Sequence, residues 1–266
     1  MTAFTFAFAT LVITFGCALL GTVIRERLPA PHVSKESQDV IRLGMGLVAT
    51  MTALLLGLVT AAAKGSFDSQ DTAVRNAAAG MLSLDRLLAR YGPETRPARD
   101  LLHRAVALRL ETMWPDTRGT TSSGPSAAAS ADLDSSPEQQ QGVSLGEEIE
   151  NQILALSPQN DTQRWIKSEA LKLTEEVLKT RWRLLSSAGG SVPRTFLFVV
   201  IFWLGTTFWS FGLSAPRNGT VVTVLFISSL SVAAAVFLIL ELDGPFEGLI
   251  KISSGPLQYT LANLGH

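Results

Sequence analysis

The sequence has few charged residues for its apolar content. Of its 266 residues, 17% are charged and 47% are hydrophobic, and the mean hydropathy is +0.27. A soluble globular domain carries about 25% charged residues at a similar apolar fraction, so this deficit indicates a membrane protein. The net charge of −1 gives no sign of the strongly basic surface that nucleic-acid binding requires.

Cysteine is nearly absent as well. Cys17 is the single cysteine, which excludes an internal disulfide and any site built from several cysteines of one chain. Gly16-Cys17 faintly resembles a lipoprotein cleavage site, but Thr14 stands where leucine is expected and the apolar run continues beyond it. No positive region precedes the run, so we expect it to stay uncleaved, with Cys17 as a packing residue.

Long apolar runs account for the composition. A helix needs about 20 apolar residues to cross a bilayer core, and four runs without a charged residue meet this length: 2–24, 43–63, 195–213 and 219–240. The predicted fold is an all-α polytopic membrane protein with four transmembrane helices in a 2+2 arrangement and a helical extramembrane segment between the pairs.

The segment between the pairs is polar on average but carries helical patterns. We expect a helix starting at Ser66 or Asp68 and ending before Gly92-Pro93, and a second from about Arg96 to Trp114. After a stretch too poor in large apolar residues to fold, Ser144 and Glu147 form a capping box, and Asp161 starts a last helix.

These patterns divide the chain into six predicted regions. They are a first transmembrane pair (2–64), an extramembrane hairpin (65–116), a disordered linker (117–143), further extramembrane helices (144–192), a second transmembrane pair (193–241) and an interfacial tail (242–266).

Basic residues at the span ends give conflicting orientations. Arg25 and Arg27 follow the first span and favour an outside N-terminus, because positive charge concentrates on the cytoplasmic side. The third span has four basic residues before it, Lys179, Arg181, Arg183 and Arg194, and only Arg217 after it, which favours a cytoplasmic middle segment. With an even number of spans, arranged in two pairs, the N-terminus and the middle segment lie on the same side of the membrane. The two orientations therefore cannot both hold.

Small residues form a stripe in the second span. Helices in lipid associate through small side chains that let their backbones approach closely. The spacing places one set on a single helix face, which we interpret as a helix-packing or pore-side face: Gly46, Ala49, Thr50, Ala53, Gly57 and Ala61.

Spans two and four also contain hydroxyl side chains: Thr50, Thr52, Thr60, Thr220, Thr223, Ser228, Ser229 and Ser231. They could line a wet path, or they could bond back to the carbonyls of their own helices, which is the commoner arrangement. The spans contain no carboxylate, which argues against a proton-coupled pump.

Two acidic clusters are candidate cation ligands. One is His32, Glu36 and Asp39 after the first span; the other is Glu241, Asp243 and Glu247 after the fourth, where carboxylate oxygens would suit calcium. Both also fit solvated loops. Metalloprotease, hydrolase and phosphate-loop motifs do not occur in the sequence, so we predict neither an enzyme nor a cofactor.

Two segments carry a family resemblance. Residues 27–67, RLPAPHVSKESQDVIRLGMGLVATMTALLLGLVTAAAKGSF, and the tail 241–265, ELDGPFEGLIKISSGPLQYTLANLG, resemble the bestrophin-like family of bacterial four-span membrane proteins, a domain of unknown function. The likeness is specific in Leu28-Pro29, Ala62-Ala63-Lys64 and Leu242-Asp243.

The resemblance implies more than the residues alone. True bestrophins are pentameric anion channels with cytoplasmic termini, a pore neck lined by the second span and a cytoplasmic helical region. Similarity would place this chain in the bacterial cytoplasmic membrane as a homo-oligomer, with five subunits as one expectation. The dense acidic run that binds calcium in animal bestrophins is missing, so calcium gating is not expected.

Two functions remain open at this stage. The first is an oligomeric ion channel or passive pore. The alternative is a non-conducting membrane interaction or scaffolding protein whose helical middle binds a partner.

Overall fold

The computed structural model describes residues 3–27, 35–114, 137–187, 194–216, 218–246 and 248–265. In these ranges the regular structure is helical throughout, in eight α-helices and one short 3-10 turn. The helices are α1 (Ala3–Arg27), α2 (Lys35–Tyr91), α3 (Arg96–Met113), α4 (Pro137–Leu154), α5 (Asp161–Ser187), α6 (Arg194–Ser214), α7 (Gly219–Asp243) and α8 (Gly255–Asn263).

Four of these helices are long and apolar enough to cross a membrane: α1, α2, α6 and α7. The four-span, all-helical fold class is therefore confirmed. The chain forms two compact units, one of Met1–Asp68 with Gly189–Lys251 and one of Ser69–Ala188 with Ile252–His266. We call them the membrane unit and the helical unit.

In the membrane unit, α1 packs against α6 and α7 through small residues. Ala18 is fully buried beside Phe208 and Leu225. A Cβ atom added to Gly212 would lie 2.0 Å from the Ala18 carbonyl oxygen, and one added to Gly21 would lie 2.3 Å from that of Trp209. The backbones of α1 and α6 therefore touch at this crossing, which only glycine permits.

The same contacts give the relative direction of α1 and α6. Ile13 and Cys17 lie beside Gly205, whereas Ala18 and Thr22 lie beside Gly212. Because residue numbers rise together along both helices, α1 and α6 are parallel. Their N-terminal ends therefore lie on the same side of the membrane.

The helix α2 corrects one prediction. It runs without a break from Lys35 to Tyr91, so the expected start at Ser66 or Asp68 is wrong. Gly65 costs only about 1 kcal/mol relative to alanine in a helix interior. The segment has no proline, and the Lys64 ammonium pairs with the Asp68 carboxylate one turn later, so one glycine does not end the helix.

The end of α2 is as predicted. Gly92 has φ of +145°, a conformation that side-chain-bearing residues rarely adopt, and Pro93 cannot continue the helix. The hydroxyl of Thr95 donates to the Leu88 carbonyl oxygen at 2.7 Å and closes the turn into α3.

The start of α4 differs from the sequence expectation. Residues 117–136 of the predicted linker lie outside the described residues, but residues 137–143 are helical, because α4 begins at Pro137 rather than at Ser144.

The helical unit is held by apolar packing and one buried ion pair. Leu88, Val106, Ile153 and Ile166 are almost fully buried. Asp85 is fully buried, and the Arg99 guanidinium donates to both of its carboxylate oxygens, at 2.7 and 3.0 Å. The hydrogen bond to Asp85 raises the pKa of Arg99 above its usual value.

The predicted tail 242–266 divides between the two units after Lys251. In the helical unit, the Trp114 indole Nε1 donates to the Ile252 carbonyl oxygen at 2.8 Å, and the Thr260 hydroxyl of α8 donates to the Ala78 carbonyl oxygen at 3.1 Å. These bonds fix α8 against α2 and α3.

Candidate functional site

The membrane-spanning part of α2 has three faces. At about 100° per residue, Thr52, Val59 and Ala63 share one face, and these three are buried. Val59 and Ala63 pack with Leu197 of α6 and Ile239 of α7. This buried face attaches α2 to the other spans.

The predicted small residues fall together on a second face. Ala49 is half-buried, and the other members of the set Gly46, Thr50, Ala53, Gly57 and Ala61 are exposed. A Cβ atom added to Gly46 or Gly57 would have no neighbour within 4 Å among the described residues. The small face thus contacts no other described span of its own subunit near these glycines.

A third face carries large apolar side chains and was not singled out from the sequence. Its members are 51–78% exposed and follow one another every three or four residues: Leu43, Leu47, Met51, Leu54 and Leu58. This bulky face lies beside the small face around the helix. Helical periodicity alone could have found it, since the spacing 4, 4, 3, 4 is typical of one stripe.

The hydroxyl side chains of the spans mostly bond within their own helices. Thr50 donates to the Gly46 carbonyl oxygen at 2.8 Å, Thr52 to that of Val48 at 2.7 Å, and Thr60 to that of Leu56 at 2.7 Å. Thr223 and Ser231 of α7 do the same. The back-bonding interpretation is confirmed for these five side chains but not for Ser229 of α7, whose Oγ atom is buried and has no hydrogen-bond partner among the described residues.

The candidate cation ligands are only partly described. His32 and Glu247 lie outside the described residues, as does the side chain of Glu36. Asp39 is exposed, and its Oδ1 atom lies 3.9 Å from the Nη1 atom of Arg42. Among the described residues, no group of three histidine, cysteine, aspartate or glutamate side chains is placed to hold a metal ion.

Glu241 has a different environment from the one expected. Its side chain is buried, and its Oε2 accepts a hydrogen bond from the Leu249 backbone N–H at 2.6 Å and a longer one from Ile250 at 3.4 Å. Gly248 has φ of +90°, and a Cβ atom there would lie 2.3 Å from the same oxygen. Backbone donors therefore bind one oxygen of this carboxylate and fix the turn after α7.

Replacing Glu241 by glutamine should destabilise this turn without any dependence on calcium. Hydrogen bonds to a charged acceptor contribute about 1.5–3 kcal/mol, so we expect a loss of about 1–2 kcal/mol. Thermal unfolding in detergent measures it. A melting temperature of the unmodified protein that rises with calcium over chelator would contradict the assignment.

Comparison with known proteins identifies the family. The profile of the Bestrophin-like domain matches residues 12–257. The chain belongs to the bestrophin-like family. It is an integral membrane protein. Comparison with curated protein sequences finds no match.

Solved structures share the fold of this bestrophin-like protein. Three crystal structures of a bacterial bestrophin homologue from Klebsiella pneumoniae, two of them single-residue variants, superpose with TM-scores of 0.63, 0.66 and 0.65. Their sequences are 15%, 17% and 16% identical to this chain, and each match covers 97% of this chain and 96–97% of the other. Likeness at this identity establishes the fold alone.

Proposed function

We propose that this bestrophin-like protein is a subunit of an oligomeric ion channel or passive pore, and that α2 lines the pathway or packs around it. The observation that carries the proposal is how little of α2 its own chain covers. In the apolar stretch of α2, 11% of the residues are buried within the subunit, against 28–44% in those of the other three spans. A helix so little covered has most of its surface available for neighbouring subunits and for a pathway.

The two exposed faces of α2 suit different surroundings. Small side chains allow close backbone approach, which is the usual basis of helix association in lipid. We assign the small face to the contact with a neighbouring subunit or to the edge of the pathway.

The spans carry no charged residue in their apolar runs, which favours passive movement of ions over coupled pumping.

Reconstitution tests the proposal. We expect purified protein in liposomes to conduct ions under an imposed gradient and to have an oligomeric mass in nanodiscs, with five subunits as the leading stoichiometry. A flat flux record for both anions and cations from a confirmed oligomer would reject the channel. A monomer would favour the scaffolding alternative.

The parallel arrangement of α1 and α6 supports an orientation. Lys179, Arg181 and Arg183 precede α6, and basic residues concentrate on the cytoplasmic side. We therefore place the start of α6, and with it the N-terminus, in the cytoplasm of a bacterial cell. This orientation places Arg25 and Arg27 on the side of the membrane opposite to the one that they favour.

Reporter fusions check this orientation. Green fluorescent protein fused to the N-terminus should fluoresce, whereas alkaline phosphatase at the same position should be inactive, because it folds only outside the cytoplasm. The same pair of reporters after His266 should give the same pattern, since the number of spans is even. An active phosphatase at the N-terminus would contradict the assignment.

A further inference from the structure

An apolar groove of about 410 Å³ lies between α1 and α6 in the membrane unit. From α1 it is lined by Ile13, Cys17, Leu20 and Ile24, which follow one another at spacings of four, three and four residues. From α6 it is lined by side chains between Phe198 and Trp209. The rim is open, since Leu20 and Phe202 are 58% and 67% exposed.

The dimensions of the groove match one hydrocarbon chain in one leaflet. At a rise of about 1.5 Å per residue, the distance along α1 from Ile13 to Ile24 is about 16 Å. Half of a bilayer core is about 15 Å. The Thr206 hydroxyl in the wall donates to the Trp203 carbonyl oxygen at 2.9 Å, so its hydrogen is already used. The lining therefore suits a linear apolar ligand.

Gly205 creates the depth of the groove. A Cβ atom at this position would lie 3.5 Å from the Cys17 Sγ atom and 3.7 Å from the Ile13 Cγ2 atom, which are ordinary contact distances. A side chain there would project into the groove without meeting backbone. This position differs from Gly212, where an added Cβ would meet the Ala18 carbonyl oxygen.

Positive charge lies at one end of the groove. Arg27 is exposed and continues the groove-lining stripe of α1, three residues after Ile24. Arg25 is half-buried and lies about 120° around the helix from this stripe, so it is not part of the groove end. Glu26 falls on another side of the helix at about 100° per residue. Trp209, at the same end, is a residue type enriched at membrane interfaces.

We propose that this groove binds one anionic phospholipid, with an acyl chain between α1 and α6 and the phosphate group at Arg27. A helix of a second copy is the competing occupant. The rim favours lipid, because it presents bulky side chains such as Phe198, Phe202 and Leu20 rather than the small residues that close helix contacts use. The proposal does not depend on channel activity.

Native mass spectrometry tests the head-group part. The detergent-purified protein is incubated with equal amounts of phosphatidylglycerol and phosphatidylcholine of matched chains. One basic residue near the membrane surface favours an anionic lipid by about fivefold, so we expect that preference in the unmodified protein. Arg27→Gln should bring the ratio close to one, whereas Arg27→Lys should keep it. Equal retention of both lipids by the unmodified protein would overturn the proposal.

Filling the groove tests the acyl-chain part. Gly205→Leu should abolish retained adducts of both lipids while leaving the oligomeric mass unchanged. Unchanged adducts would overturn the proposal, and a changed oligomeric mass with unchanged adducts would assign the groove to a second copy.

Fluorescence keeps the proposal testable if Gly205→Leu does not fold. Phosphatidylglycerol with brominated chains should quench part of the tryptophan emission. Trp209→Phe should remove most of that quenching, and Trp203→Phe, a residue outside the groove lining, should not. Quenching that survives Trp209→Phe would overturn the proposal.

Discussion

Replacing Gly212 by leucine should unfold the membrane unit of this protein. An added Cβ atom would lie 2.0 Å from the Ala18 carbonyl oxygen and 3.0 Å from the Thr22 backbone nitrogen. Both are backbone atoms, so no side-chain rotation relieves the clash, and α1 must move away from α6. Overpacking a core costs about 1–3 kcal/mol where side chains can yield, so we expect at least about 3 kcal/mol here.

The measurement is reversible unfolding in bicelles or, where the variant does not accumulate, its yield as a monodisperse species in detergent. Gly16→Leu is the matched control, because an added Cβ at that position of α1 meets nothing within 4 Å among the described residues. It should retain near-normal stability. Equal stability of the two variants would mean that α1 and α6 do not cross at Gly212.

The sequence was sufficient to predict the spans, because uninterrupted apolar runs are a local property. Gly92-Pro93 likewise predicted the end of α2 from its own chemistry. The predicted helix start at Ser66 or Asp68 was wrong because a capping residue favours a start only where the preceding residues are not helical, and α2 is already helical from Lys35 onward. The length of α2 and the helix propensity of its residues outweighed the capping signal of a single side chain there.

Contacts between segments that are distant in the sequence could not be predicted from residue types alone. Gly21, Gly212 and Gly57 all lie in apolar runs and cannot be told apart from the sequence. An added Cβ atom would meet backbone atoms of another helix at Gly21 and Gly212, but no described atom within 4 Å at Gly57. Glu241 is another example. Its hydrogen-bond partners are the backbone N–H groups of Leu249 and Ile250, which the turn brings close to it and which no residue type reveals. The cation site at Glu241, Asp243 and Glu247 stays a prediction, because Glu247 lies outside the described residues.

Replacing Gly57 by leucine should disrupt assembly while leaving the subunit folded, which is the opposite of the result expected at Gly212. Gly57 lies on the small face of α2 with no described atom within 4 Å of an added Cβ, so leucine fits the isolated subunit. If the small face contacts a neighbouring subunit, the larger side chain separates the helices. A loss of about 1.4 kcal/mol at one contact weakens association tenfold, and a ring repeats the contact in every subunit.

Gly44→Leu is the matched control for assembly. It makes the same substitution in α2, also with no described atom within 4 Å, but toward the bulky face rather than the small face. Mass measurement in nanodiscs should show smaller species for Gly57→Leu and the normal oligomer for Gly44→Leu, with ion flux lost only in the first. Because both variants leave the subunit interior unchanged, a difference between them locates the subunit contact on the small face. Normal assembly of Gly57→Leu would place the small face toward lipid or toward the pathway. Ion flux then separates these two locations. Flux should fall if leucine narrows a pathway, and it should stay normal if the face contacts lipid.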